Sequence, residues 1–190
     1  MEVLKTALEG AFILEPVVHG DERGYFVETF SQRVFDTEFA IPHLGQALNF
    51  VQDNESKSSR GVLRGLHFQR APHSQAKLLS CVQGSVLDVV IDLREGSPSY
   101  RKVLCVELSG ENHRQLFIPK GFAHGYLTLS ESAIFQYKCD EYYHTQSEGG
   151  INILDPSLGI ALPEGPYIMS AKDKCWDNLD NCGTIFSYKD

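Results

Sequence analysis

Paired cysteines are the first thing this 190-residue chain lacks. Its five cysteines, Cys81, Cys105, Cys139, Cys175 and Cys182, are odd in number, widely spaced and form no CxxC. That excludes a zinc ribbon and a disulfide-stapled scaffold, and it favours a reduced, cytoplasmic setting. No apolar run approaches the ~20 residues that span a bilayer. The start, MEVLKTALEGAFILEP, lacks the basic-then-apolar order of a secretory signal, so no membrane partner is expected. Positive charge is scarce as well: 17 Lys and Arg face 25 Asp and Glu, a net charge of −8. A nucleic-acid partner would require a basic face, and none is expected. A small anionic ligand stays open, because it responds to local cations rather than to the total. GxxxxGK[ST], GxGxxG and GxSxG are all missing, and with them support for phosphate loops, dinucleotide binding and hydrolase elbows. A metal-binding β-barrel would typically carry two His one residue apart on a strand, but Gln69 stands where the partner of His67 would be. No metal and no other cofactor is expected.

What is present is alternation. In SVLDVVIDL (85–93), Leu87, Val89, Ile91 and Leu93 share one face while Asp88 and Asp92 share the other. VLCVELS (103–109), QLFIPKGFAHGYLTL (115–129) and AIFQYKC (133–139) come next, separated by turn-rich pieces such as REGSPSYRK and SGENHRQ. Many short strands at nearly even spacing, without long helices between them, predict an all-β antiparallel sandwich or barrel, a jelly roll with a few short helices. One helix is predicted over SQRVFDTEFA (31–40), with Ser31 as its cap, and a second from Ser170, where Ser-Ala-Lys-Asp fits a capping box. No repeat or linker divides the chain, so residues 1–190 read as one domain.

The candidates for chemistry begin in RGVLRGLHFQ (60–69). Val62, Leu63, Leu66 and Phe68 read as a strand entering a core, yet Arg64 and His67 sit among them. Three residues is the wrong spacing for one strand face, and Gly65 between them is a site for a bulge that would re-aim one side chain. Taken singly, each candidate also has an ordinary structural reading. His67 reads as a core histidine bonded to a carbonyl, Lys77 as a solvated strand end, and His124 and Tyr137 as packed interior residues. Asp173 reads as the cap of the helix at Ser170.

Together they read differently. DERGYFVETF (21–30), FVQDNESKS (50–58), GVLRGLHFQ (61–69), QAKL (75–78), ENHRQLFIPKGFAHGYLTLS (111–130), YKCDEYY (137–143), SEGGI (147–151) and SAKD (170–173) resemble, in order, the dTDP-4-dehydrorhamnose 3,5-epimerase family. The resemblance implies a metal-free, cupin-like double-stranded β-helix (a jelly roll) acting as a homodimer on a dTDP-4-keto-6-deoxyhexose and inverting the carbons on either side of the C4 ketone. By motif, His67 matches the base, Asp173 the carboxylate that orients it, Lys77 the group that steadies the enolate oxygen, and Tyr137 the acid on the opposite face. Arg23, Glu28, Gln52, Asp53, Asn54, Arg64, His124, Glu148 and Lys172 match substrate contacts, with Arg23, Arg64 and Lys172 as a local positive field for the diphosphate. In the family the N-terminal strand segment commonly reaches the partner subunit's pocket. The tail, CWDNLDNCGTIFSYKD, matches no family pattern. A monofunctional 3- or 5-epimerase of a related sugar and a non-catalytic sugar-binding cupin are the alternatives.

Overall fold

The structure, a computed structural model, describes residues 1–188. Its strands are β1 (Glu2–Lys5), β2 (Phe12–Glu15), β3 (Val18–Asp21), β4 (Gly24–Val27), β5 (Gln52–Ser59), β6 (Leu63–Gln69), β7 (Lys77–Gln83) and β8 (Ser85–Asp92). Then come β9 (Arg94–Glu95), β10 (Val103–Ser109), β11 (Gln115–Ile118), β12 (Phe122–Thr128), β13 (Ser132–Cys139), β14 (Glu148–Gly150) and β15 (Phe186–Ser187). Two antiparallel sheets dominate, one in the order β1-β2-β11-β7-β13-β5 and the other β10-β8-β12-β6-β14. This is the jelly roll that the alternation predicts.

Strand β8 shows how the layers form. Its even residues Val86 and Val90 join an interior cluster with Leu79, Leu116, Phe122, Tyr126 and Phe135. Its odd residues Val89 and Ile91 pack outward in a second cluster with Leu63, Leu66, Ile151, Ile153 and Leu179. The C-terminal tail therefore has a structural task, because it covers the back of the five-stranded sheet. A third cluster, with Phe12, Phe35, Phe39 and Phe117, seals the outer face of the six-stranded sheet. Phe39 meets Phe12 and Phe117 edge-on at centroid distances of 5.3 and 5.0 Å. Each such pair adds about 0.5–1.5 kcal/mol beyond burial.

The helices depart from expectation. The predicted 31–40 helix is α1 (Gln32–Phe35), which widens into π-helical turns over Asp36–Leu44. Pro42 lies inside this stretch and has no N–H to donate to the preceding turn. Ser31 stands at the N-terminus, but its hydroxyl makes no capping bond. At Ser170 the cap does form, since its Oγ accepts from the Asp173 N–H at 3.0 Å. The segment it caps is only a 3₁₀ turn, Asp173–Cys175.

Candidate active site

The bulge is present. Across β6 and β12, His67 pairs with His124 and Arg64 with Tyr126, so three steps on β6 oppose two on β12. Gly65 makes this possible: it has φ +101, and a Cβ there would lie 2.6 Å from the Gly125 Cα and 2.7 Å from the His124 carbonyl oxygen. The extra residue changes the parity of the strand, so Arg64 and His67 both line one cavity.

That cavity, about 410 Å³, opens between the two sheets and is lined by Gln52, Asn54, Arg64, His67, Lys77, His124, Tyr137, Glu148 and Lys172 among others. Its volume falls in the range of small-molecule sites. Arg64, His67 and His124 reach in from the five-stranded sheet, and Lys77 and Tyr137 from the six-stranded one. His67 Nε2 lies 2.5 Å from Asp173 Oδ1, joining residues 106 apart in the chain. The His67 side chain is 30% exposed and the Asp173 side chain 5%, so the imidazole faces the opening and the carboxylate sits behind it. Burial by itself would raise Asp173, but the hydrogen bond and charge of His67, with the Ser170 and Trp176 side chains, more than offset this and hold it below the usual carboxylate value. An ionised carboxylate only accepts, so Nε2 carries the proton and the Nδ1 lone pair is left free.

Lys77 is buried, not a solvated strand end. Burial lowers its ammonium, opposed by the negative potential of Cys139, Asp88 and Glu148. Its Nζ stands 5.7 Å from the Tyr137 ring centroid. The Tyr137 phenol is pushed up to about 12, chiefly by burial, with Cys139 and Tyr126 adding to the rise. The cavity thus holds an imidazole with a fixed tautomer, a phenol that keeps its proton, and an ammonium on the same wall as the phenol.

Sequence reasoning missed Asp88, which is fully buried. Its Oδ2 takes a 2.8 Å bond from His124 Nε2, and burial raises it, countered by His124 and Lys77. Alternation placed Asp88 on the face opposite Leu87 and Val89 but could not reveal that this face is interior. At the rim, Glu148 accepts from Lys172 Nζ at 2.6 Å and from the Tyr143 hydroxyl at 3.1 Å. Burial would raise Glu148, and Lys172 more than reverses that. Arg23, Glu28 and Asp53 do not line this cavity. Arg23 is paired with Asp21 on the exposed β3–β4 hairpin, Glu28 lies beside a separate groove near Phe30 and Phe35, and Asp53 bonds Lys138 Nζ at 2.9 Å on the outer face. Among the described residues, no cluster of three or more His, Cys, Asp or Glu is disposed to hold a metal ion, and no helix is long and apolar enough to cross a membrane.

A jelly roll whose two sheets present a carboxylate-held imidazole and a phenol to the same cavity defines a cupin-like carbohydrate epimerase. The comparisons specify it further. A family model described as dTDP-4-dehydrorhamnose 3,5-epimerase matches residues 5–181. The Shigella flexneri dTDP-4-dehydrorhamnose 3,5-epimerase is 48% identical over 173 residues, 91% of this chain and 93% of that protein. The crystal structure of a Legionella pneumophila dTDP-6-deoxy-D-glucose-3,5-epimerase in complex with dTDP-4-keto-L-rhamnose is 44% identical and aligns over 98% of each chain with a TM-score of 0.90. A 3'-monoepimerase from Streptomyces bikiniensis, solved with dTDP-quinovose, is 34% identical with a TM-score of 0.89, over 98% of this chain and 93% of that one. The chain belongs to the dTDP-4-dehydrorhamnose 3,5-epimerase family.

Proposed function

We propose that this protein inverts C3 and C5 of dTDP-4-dehydro-6-deoxy-D-glucose to give dTDP-4-dehydro-L-rhamnose, as a cofactor-independent isomerase with one catalytic domain over residues 1–190. The observation that carries the reading is the His67–Asp173 pair on one wall of a cavity whose other wall presents Tyr137. A hydrogen on a carbon beside a ketone is acidified by the carbonyl. His67 Nδ1 takes that proton, and the imidazolium formed is stabilised by Asp173. The electrons move into the C4 carbonyl, and the Lys77 ammonium stabilises the enolate oxygen; a donor of this kind contributes roughly 3–4 kcal/mol. Tyr137 returns a proton from the other face, which inverts the carbon. A hydroxyl that stays protonated to about 12 suits the acid and not the base.

Arg64, Lys172 and His124 would hold the substrate, with Gln52, Asn54 and Glu148 at the rim. Arg23, Glu28 and Asp53 do not line the cavity within one chain. The β3–β4 hairpin, with Tyr25 61% and Phe26 68% exposed, is suited to entering the cavity of a second copy. The active species is accordingly a homodimer, and all five cysteines are free, as suits the cytoplasm.

The test is turnover of the 4-keto sugar in deuterium oxide, followed by NMR and by a coupled NADPH-dependent reductase. Deuterium at both C3 and C5 is expected. Incorporation at one carbon alone makes the protein a monofunctional epimerase. His67→Ala is expected to lower turnover by about 10²-fold or more while calorimetric binding of dTDP changes little. Unchanged turnover would remove the base assignment, and a wild-type protein that binds dTDP sugar without exchange would be a binding cupin.

A further inference from the structure

The single tryptophan, Trp176, lies in the tail that family resemblance leaves unexplained, three residues after Asp173. Successive turns of a 3₁₀ segment eclipse positions i and i+3, so the indole and the carboxylate leave the Asp173–Cys175 turn on the same side. On β14, Gly150 pairs directly with His67 on β6. A Cβ added at Gly150 would collide with the indole at Cε2, Cδ2 and Nε1. The indole therefore rests on bare backbone beside the base, and its ring stands 6.4 Å from the His67 ring at 70°. Its Nε1 is buried with no partner at hydrogen-bonding distance among the described residues. Around it, Ala171, Lys172, Lys174 and Cys175 are exposed, and Lys172 ties the turn to Glu148 on β14. The segment beyond is anchored: the Asn152 N–H donates to the Asp177 carbonyl at 2.9 Å, and the Leu179 N–H donates to Asp155 Oδ2 at 2.8 Å.

We propose that Trp176 is a positioning residue for the His67–Asp173 pair. Its indole wedges the turn that carries Asp173 against the strand that carries His67. This rests on the reading of His67 as the base. The influence of the indole on Asp173 supports it: after burial, His67 and Ser170, the Trp176 side chain is a further contributor to the carboxyl's position and favours the anion.

Two variants separate positioning from packing. Trp176→Phe shrinks the wedge from two fused rings to one. Gly150→Ala keeps the indole and displaces it. Trp176→Phe is expected to lower kcat about 10-fold, the usual scale for an outer partner of a functional imidazole, with KM within about twofold. Gly150→Ala is expected to lower kcat toward 10²-fold, the scale of a misplacement of about 1 Å. Both should give wild-type circular dichroism. His67→Ala runs in parallel. If it is inactive while both variants keep wild-type kcat and KM, the role of Trp176 is overturned and the base assignment stands. If His67→Ala stays active, the base assignment itself fails, and the positioning role with it.

Discussion

Tyr137 and Lys77 share a wall of the cavity, and burial acts on them in opposite directions. It pushes the phenol up to about 12 and pulls the ammonium below the ordinary lysine value. As pH rises, Lys77 is the first of the two to lose its proton, and with it the charge proposed to steady an enolate. The alkaline limb of the deuterium-exchange rate is therefore expected below the ordinary lysine value, and Tyr137→Phe should leave it in place. A limb near 12, or one lost in Tyr137→Phe, would reassign it to the phenol. The same variant tests the direction of proton return. With the acid gone, His67 can still remove a proton and return a deuteron to the same face. Tyr137→Phe should lower product formation about 10²-fold while exchange into unreacted substrate persists, both read by NMR. Equal loss of exchange and product would mean that Tyr137 acts before the enolate forms.

At the scale of elements, the bulge in β6 governs which side chains enter the cavity. Gly65→Ala places a side chain at φ +101 and against the backbone of Gly125 and His124. Strain and overpacking together cost roughly 2–4 kcal/mol, a fall in Tm of about 4–16 °C for a chain this size. Activity should fall as well, because Arg64 and His67 lose their common direction. Melting and turnover like those of the wild type would show that the bulge can be dispensed with. The bulge was legible because Gly65 stands between two polar residues of mismatched parity, and the strands were legible because period 2 persists through β8, β10, β12 and β13. Asp88 was not. Alternation reports that two faces differ, and β8 is buried on both. The partnership of Asp173 with His67 was invisible to periodicity, since 106 residues separate them, and only the SAKD resemblance suggested it. Pattern also over-read the helix at Ser170, where the cap is real and the helix is one turn.

For the whole molecule, the proposed homodimer makes each cavity a joint product of two chains. Arg23→Ala and His67→Ala are both expected to be nearly inactive alone. Co-expressed with different tags, half of the dimers formed at random are mixed. Each mixed dimer has one cavity with an intact hairpin and an intact base, which restores about a quarter of wild-type turnover. No recovery would mean that each chain completes its own site. Outside the cavity, a net charge of −8 repels a nucleotide diphosphate, so the rim cations must attract it locally. Salt is accordingly expected to weaken dTDP binding in calorimetry.

The placement of Trp176 also has an optical consequence. The chain owns one indole, and it leans edge-on against the ring of the proposed base. Its fluorescence reports from that spot without a dye or label. The protein carries a native probe 6.4 Å, ring to ring, from its proposed base.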